Sequence, residues 1–421
     1  MDNPDSAYVI DRYSNKLVDG SKMTVSVAED SRYKLTIRTI GDPERGNTDD
    51  PDSVVVNLST LVPAIATIPD GSDIYTFMQD LQKNDTTFGR TSKEVAIELV
   101  AGGKYTLSGP VDFGGQKLTF RGDKVKRSEI KVTGTGGLLT YSGLKIKFIN
   151  FDMAESTGPS LVSMSSTNLP VSIKSQTLGY SRSGAIINDI YIVQDPIYIA
   201  NCWIKDMPYA LLYDNNIQCA YWYFTLKDCI VQMKTKGTKP FINLENKGRS
   251  IKNIEINKST IYNTVDCAWY FMRYSNASNS NPEKTFGNVT SLYSTASMTF
   301  TSSTFCKTFS SQKFANNFNT TGMTTLVDHC IFYDCCEVGT IAIGSKTFKF
   351  NFWYAFTKPK TTDPTQKDTG GAPFASVYDP KFKGDITKSL DFTQPNGGVD
   401  FTPGEYEIVA NSGGDSRWLN K

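Results

Sequence analysis

The chain has 421 residues, and its 44 lysines and arginines against 43 aspartates and glutamates leave a formal net charge of +1. No overall field therefore favours nucleic acid, an anionic membrane or an acidic polymer, so any charged partner must meet a local patch. The eight cysteines are too dilute for a disulfide framework. The sequence contains no run of about 18 apolar residues, the length that a membrane-spanning helix needs.

Residues 1–68 are predicted to form a small N-terminal β segment, either an appendage or the remnant of a β-sandwich module. Stretches 22–27 and 33–38 alternate between apolar and polar residues, as half-buried strands do. The Asp-rich stretch 41–53 between the later strands is typical of a loop. About sixty residues are marginal for an independent fold, so we expect an appendage to a larger domain.

The period changes over residues 72–83, which predict one amphipathic helix. Ser72 or Asp73 is placed to cap its N-terminus. Its apolar residues recur at i, i+3, i+4 and i+7: Ile74, Phe77, Met78 and Leu81. The open end of a coil of strands exposes unpaired backbone, and we expect this helix to cover it.

A six-residue pattern recurs between residues 199 and 332, at spacings of about 27 to 44 residues. Its fourth position is always small: Cys202, Cys229, Ser259, Ser303 and Cys330. A less regular copy lies at 146–151. Such spacing is typical of a solenoid whose units bury their apolar faces only by stacking. The units are rich in Ile, Val, Phe, Tyr and Thr, with turn residues between, so residues 69–358 are predicted to be a coil of strands.

The small residue in each unit is explained by a sharp corner between two strands. A side chain that points inward at such a corner stacks on its equivalent in the next coil, so it must be small and tolerate burial. Adjacent coils lie about 4.8 Å apart, and distance alone therefore permits a bridge between Cys202 and Cys229. Stacked columns rarely present the dihedral angle of a disulfide, which favours free thiols.

Insertions near 155–190 and 275–297 interrupt the repeat and are predicted to be lateral loops. The pattern fades after residue 358. Residues 359–421 are rich in Pro, Gly, Asp and Thr, and we expect them to form a C-terminal capping segment packed across the last coil.

These segments resemble the right-handed single-stranded parallel β-helix of the pectin lyase-like superfamily. The resemblance rests on the corner segments ANCWI, LKDCI and VDHCI and on the opening AIELVAGGKYTLSGPVDFGGQKLTFRG. Residues 379–419 resemble the end of secreted gut-bacterial members, which are domains of unknown function associated with polysaccharide utilisation and often lipid-anchored. The resemblance covers residues 69–421. It is a specific indication of the fold and a weak indication of the activity.

The resemblance implies a monomer at the cell exterior or outer-membrane surface, with a polysaccharide partner and no nucleic acid. The first residues carry no secretion signal, so for an exported protein we expect a signal removed before this chain begins. In such helices, polysaccharide usually binds along the strand that follows the corner strand. Counting forward from the corners places that strand at 211–215, 241–246, 268–274 and, less regularly, 313–316.

Alternation along these strands predicts which side chains face a substrate. It puts Ile242 and Leu244 inside and Asn243 and Glu245 outside. The substrate-binding candidates are Asn243, Trp269, Tyr270 and Tyr274.

Two reactions suit the charged residues of this face. Hydrolysis needs a pair of carboxylates, for which Asp214 and Glu245 on adjacent coils are the candidates. Elimination from a uronic acid needs a base and a cation beside the carboxylate, for which Lys247 and Arg273 are the candidates. No cofactor is predicted, and calcium is the one that such a site could take.

The alternative to an active site is an ordinary solvated face. The Asp motifs of superfamily hydrolases and calcium-dependent lyases are missing, and the one histidine, His329, occupies a corner position. Cys330 is committed to the corner column, and adjacent Cys335 and Cys336 would point to opposite faces, so no metal site is expected. A polysaccharide-binding β-helix is therefore favoured, with a lyase or hydrolase and a structural or adhesive solenoid as alternatives.

Overall fold

A computed structural model describes the following residues of the chain: 7–10, 15–18, 27–28, 30–39, 53–85, 88, 93–164, 184–187, 190–214, 219–234, 240–244, 251–265, 270–274, 296–309, 314–317, 323–335, 341, 345–354 and 376–419. It divides into two compact units, Met1–Pro63 and Ala64–Lys421. None of the described helices is long and apolar enough to cross a membrane.

The first unit contains a four-stranded antiparallel sheet in the order β2-β1-β3-β4. Its strands are β1 (Ala7–Ile10), β2 (Asn15–Val18), β3 (Arg32–Thr39) and β4 (Ser53–Ser59). The predicted strand at 33–38 lies within β3, which confirms the small N-terminal β appendage. The predicted strand at 22–27 falls outside the described residues except for Val27, which lies in no strand.

The second unit is built from three long parallel sheets, here called sheets I, II and III. Sheet I contains β5 (Ala64–Ile68), β6 (Val95–Leu99), β9 (Leu118–Arg121), β12 (Leu144–Lys147), β17 (Ile197–Ala200), β20 (Cys219–Lys227), β23 (Ile251–Asn257), β26 (Ala296–Thr301), β29 (Met323–Asp328) and β31 (Ser345–Lys349). A hairpin, β15 (Gly184–Ile187) and β16 (Ile190–Val193), joins it through β20.

From β6 to β26, the chain enters sheets II and III in turn after each strand of sheet I. Sheet II contains β7 (Lys104–Leu107), β10 (Ser128–Gly134), β13 (Ile149–Ser156), β18 (Trp203–Met207), β21 (Ile230–Met233), β24 (Thr260–Asn263), β27 (Thr304–Cys306), β30 (Ile331–Tyr333), β32 (Phe352–Tyr354) and β33 (Ser376–Val377). Sheet III contains β8 (Pro110–Asp112), β11 (Gly137–Thr140), β14 (Ser160–Met164), β19 (Ala210–Tyr213), β22 (Ile242–Leu244), β25 (Met272–Tyr274) and β28 (Ala315–Asn316). The predicted fold class, an all-β parallel β-helix, is confirmed.

One strand placed in the N-terminal segment by the sequence belongs to the β-helix. β5 pairs in parallel with β6, with Ile68 opposite Leu99 and completely buried. The boundary between the compact units therefore lies at residue 63, rather than at 68 as predicted, because β5 contributes the first strand of sheet I.

Helix α1 (Ile74–Asn84) covers the open end of the first coil. The Asp73 side chain caps it by accepting a hydrogen bond from the Thr76 backbone N–H at 2.9 Å, and it also accepts one from the Ser108 N–H at 3.1 Å. Ile74 and Met78 are buried in the core of the β-helix. The capping helix predicted at 72–83 is thus confirmed, and its cap is Asp73.

From β12 onwards, each corner between sheets I and II turns through one residue in the left-handed region. These residues have φ between 46° and 59°: Phe148, Asn201, Asp228, Lys258, Ser302, His329 and Phe350. From Asn201 to His329, the backbone N–H of each donates to the last carbonyl of the sheet I strand in the next coil, at 2.9 to 3.1 Å. Three of the seven, Asn201, Asp228 and His329, are of the residue types that tolerate positive φ better than most.

The next residue in each corner forms the predicted inward column. Cys202, Cys229 and Cys330, like Ser259 and Ser303, are completely buried. The Ser259 backbone N–H donates to Ser303 Oγ at 3.2 Å, and the Cys229 N–H donates to Ser259 Oγ at 3.2 Å. Each hydroxyl or thiol in turn donates to the carbonyl two residues earlier, as Ser303 Oγ does to Thr301 at 2.8 Å. The column is therefore held by hydrogen bonds as well as by size.

The cysteines of this column are free thiols. No disulfide joins Cys202, Cys229 or Cys330. Burial raises the pKa of Cys330 to about 12, because a thiolate there would lose its hydration. Cys330 is therefore a structural group rather than a reactive one.

The C-terminal residues cover more than the last coil: Ser376–Val377 pairs with Phe352–Trp353 as the terminal strand of sheet II, and the residues after it continue over earlier coils. Residues 379–419, here called the strap, lie along the outer face of sheet II across several coils and include helix α2 (Tyr406–Ala410). Its Trp418, Leu390 and Phe401 pack with Ile230 and Tyr262 of sheet II, and the Trp418 indole donates to Thr260 Oγ1 at 2.7 Å. The outer face of sheet II carries apolar side chains, and the strap removes them from water.

The hydrogen-bonded corner column predicts a graded response at Ser303. Ser303→Ala removes both an acceptor and a donor from a buried position, so we expect the free energy of unfolding to fall by about 1–3 kcal/mol. Ser303→Cys keeps a group that serves at Cys229, so its loss should stay below about 1 kcal/mol. Guanidinium denaturation measures both, with exposed Ser376→Ala as the control. Equal losses for alanine and cysteine would contradict the proposed role of the bonds.

The left-handed corner predicts opposite tolerances at Lys258. Lys258→Val places a β-branched residue at φ 46° and should lower the free energy of unfolding by about 1–3 kcal/mol. Lys258→Asn should cost nothing, since asparagine adopts this conformation readily. Thermal unfolding of the two variants makes the comparison, and a valine variant as stable as the asparagine variant would rule out this corner geometry.

Candidate functional site

The four strands predicted to carry the site are neighbours in sheet III. β19, β22, β25 and β28 pair in parallel, one coil after another. The register aligns Leu212 with Ile242, Met272 and Ala315. The strand placement inferred from the corner spacing is thus confirmed.

Stacked aromatic rings inside the helix hold these strands in register. The Phe241 and Phe271 rings lie 4.7 Å apart at 15°, and Phe271 and Phe314 lie 5.3 Å apart at 22°. Each phenylalanine directly precedes an inward-facing residue of its strand: Ile242, Met272 or Ala315. Burial of these rings removes much apolar surface from water. That gain favours the register in which these three coils stack.

One outward column results from this register, here called the sheet III column: Tyr213, Asn243, Arg273 and Asn316. Tyr213, Arg273 and Asn316 are partly exposed, whereas Asn243 is 9% exposed. Neighbouring members are one strand spacing apart, about 4.8 Å. An aromatic ring, two amides and a guanidinium therefore stand in file on one face.

Asp214 does not belong to this column, which corrects one sequence prediction. It follows Tyr213 by one residue, so alternation turns it to the opposite face, and it is completely buried. Its backbone N–H donates to the Asn243 carbonyl at 3.0 Å. A carboxylate with no exposed surface cannot act on a polymer at the outer face, so the hydrolytic pair loses this member.

Tyr274 is likewise buried rather than presented to a sugar. It aligns with Leu244, the inward residue of β22, and has no exposed surface. Burial raises the pKa of its hydroxyl well above the usual value. Of the aromatic candidates, Tyr270 is partly exposed and directly precedes Phe271 at the start of this strand.

Three further candidates, Glu245, Lys247 and Trp269, lie outside the described residues. Their predicted roles stay predictions. Arg273 and Asn243 are brought together, since they are direct partners in the register of β22 and β25.

Two members of the sheet III column were missed in the sequence. Tyr213 stands one residue before Asp214, and Asn316 pairs with Arg273. Period-two alternation carries the signal for both, because Leu212 and Ala315 mark the inward side of their strands.

No group of three or more His, Cys, Asp or Glu side chains capable of holding a metal ion occurs among the residues that the structure describes. Cys335 is buried, with its Sγ 3.5 Å from Thr308 Oγ1. His329 is a corner residue with positive φ, and its Nδ1 lies 2.7 Å from Asp328 Oδ1.

Comparisons with known proteins give families without an assigned activity. Residues 103–264 match a domain of unknown function, DUF4957, and residues 1–102 match another, DUF4992. No curated protein matches the sequence. Among solved structures, a mutant of a PL6-family alginate lyase is similar with a TM-score of 0.41 and 13% identity, over 76% of this chain and 39% of that enzyme. The chain thus spans about two-fifths of that enzyme.

The assignment of faces predicts different consequences for two tyrosines. Tyr274→Ala opens a cavity in the core and should lower the free energy of unfolding by about 3–5 kcal/mol. Tyr213→Ala, on the outer column, should cost about 1 kcal/mol or less. Chemical denaturation of the two variants compares them directly. Equal losses would show that Tyr213 is a core residue and not part of an outward column.

Proposed function

We propose that the protein is an exported or surface-anchored β-helix that recognises an extended acidic glycan of the pectin type. The observation that carries the proposal is the sheet III column, in which Tyr213, Asn243, Arg273 and Asn316 occupy successive coils. A polymer laid along the helix axis would meet one of these side chains per coil. In this proposal the protein acts as a monomer.

The chemistry of the column suits a chain of sugar acids. The Tyr213 ring can pack on the apolar face of a pyranose, and the Asn243 and Asn316 amides can both donate to and accept from hydroxyls. Arg273 presents a planar fork that matches a carboxylate. Together they offer the apolar, hydroxyl and carboxylate contacts that a uronic acid polymer requires.

Selection of an acidic glycan rests on a local charge. The net charge of the chain is +1, so no global field steers a polyanion towards it. Arg273 is the cation of the column, and its contribution should be screened by salt because it is partly exposed.

A polysaccharide lyase is the second candidate, because Arg273 lies on the outer face where elimination would need a cation. Arg273 would neutralise the uronate carboxylate, with Lys247 as the proposed base. Calcium would supply further charge neutralisation in that reaction. Turnover assays on pectate, alginate and glycosaminoglycans, with and without chelator, detect the unsaturated products of a lyase and the new reducing ends of a hydrolase.

Affinity electrophoresis tests the binding function. In gels that contain polygalacturonate, Arg273→Gln should weaken retardation about 10- to 100-fold, as expected for one charge-assisted hydrogen bond of about 1.5–3 kcal/mol. Tyr213→Ala should weaken it as well, and Trp269→Ala is expected to do so through the proposed aromatic platform. Lys227→Gln on sheet I removes the same charge from another face and should leave mobility unchanged.

Two results would overturn the proposal. Undiminished retardation of Arg273→Gln would remove the sheet III column from recognition. If no acidic glycan retards or is degraded by the wild-type protein, the structural or adhesive solenoid replaces the binder.

A further inference from the structure

Two arginines meet at one corner of the β-helix, where the strap crosses the outer face of sheet II. Arg127 lies in the extended turn between β9 and β10, and its guanidinium lies 4.5 Å from the centroid of the Trp203 ring. Arg417 of the strap points its Nη1 at the Cys229 carbonyl, 3.5 Å away. Trp203 pairs with Ile230, the residue after Cys229, so the two arginines stand on neighbouring coils.

Arg127 forms no ion pair with a carboxylate among the residues that the structure describes. The acid nearest to it in sequence, Glu129, forms its ion pair with Lys104 at 3.7 Å. Asp415 lies 3.8 Å from Arg417 and accepts the Thr260 hydroxyl at 2.8 Å. The buried Nε of Arg127 makes no hydrogen bond. An unsatisfied donor on a half-buried cation is costly, which points to a group that completes it.

A second unsatisfied group stands on the strand between Glu129 and Trp203. Asn150 pairs in register with Glu129 on one side and with Trp203 on the other. Trp203 is the ring on which the Arg127 guanidinium lies, so Asn150 occupies the neighbouring register position. Asn150 is 4% exposed, and its Oδ1 has no hydrogen-bond partner among the described residues. A cation and a buried amide are thus left incomplete at the same place.

The electrostatics at this corner favour an anion. Burial lowers the pKa of Arg127, the nearby thiols of Cys202 and Cys229 oppose that change, and the charge of Arg417 adds to it. An arginine side chain stays protonated in proteins. Two like charges in a partly desolvated place repel each other, and a bound anion relieves that repulsion more strongly than water does.

We propose that Arg127 and Arg417, with the amide of Asn150, bind an oxyanion, either a carboxylate or a sulfate group. The guanidinium fork matches two oxygens of such a group, and the Asn150 amide is placed to bond a hydroxyl beside it. A sugar acid supplies both, and a free inorganic anion supplies the first alone. This site lies on sheet II, so it is independent of the sheet III column and of the function proposed for it.

Calorimetric titration of the full chain with sodium sulfate, sodium glucuronate and uncharged methyl glucoside tests the site. We expect saturable binding of at least one anion and none of methyl glucoside. Tighter binding of glucuronate identifies a sugar acid as the source of the group, and equal binding identifies the oxyanion alone. Absence of binding by both anions overturns the proposal.

Variants distinguish anion binding at this corner from general attraction to positive surface charge. Arg127→Gln and Arg417→Gln should each weaken anion binding at least tenfold. Arg127→Lys keeps the charge without the fork and should fall between wild type and Arg127→Gln. Lys126→Gln removes an exposed charge from the same turn and should change the affinity less than twofold. Full affinity in Arg127→Gln, or an equal loss in Lys126→Gln, contradicts the site.

A thermal readout keeps the test valid if a variant is less stable. Sulfate should raise the melting temperature of wild type more than chloride does at equal ionic strength, and this difference should be smaller in Arg127→Gln, which keeps only the general stabilisation by sulfate. An undiminished sulfate effect in a folded Arg127→Gln protein would show that sulfate acts on the protein surface in general, and it would contradict the proposed site.

Discussion

The stacking of corners is the constraint on which the rest of the structure depends. At the corners from β12 onwards one residue adopts positive φ and the next points inward, and the Cys229 and Ser259 N–H groups donate to the equivalent side chains of the following coils. Each coil therefore sets the height of its neighbour. A residue too large for the column, or one unable to adopt the left-handed conformation, would disturb the register of all three sheets at that coil.

This register decides which side chains reach the outer faces, because successive residues of a strand point to opposite sides. Tyr213 and Asp214 are adjacent in sequence, yet one belongs to the outward column and the other is completely buried. The stacked phenylalanines beneath sheet III reinforce the same height. Side chains of one outward column thereby come from segments about 30 to 45 residues apart, and a polymer along the axis would meet them in series.

The strap gives sheet II a different role from sheet III. It buries apolar outer residues of sheet II, and its polar groups bond to strands far away in sequence, as Leu390 N–H does to Gln232 Oε1 at 3.0 Å. It also brings Arg417 beside the corner that holds Arg127 and Trp203. The strap therefore both completes the packing and brings together charges that no single coil contains.

The sequence by itself determined the fold class, the capping helix, the corner column and the four strands that carry the sheet III column. Repeats and alternation are visible locally in the sequence, and they are compatible with only one way of stacking the coils. It also placed Asn243 and Arg273 on neighbouring strands. Only the tertiary structure decided that Asp214 and Tyr274 are buried, that β5 belongs to sheet I and that the strap lies along sheet II. The physical reason is that parity depends on where each strand begins, and that contacts of the strap join residues more than a hundred positions apart, which no periodicity records.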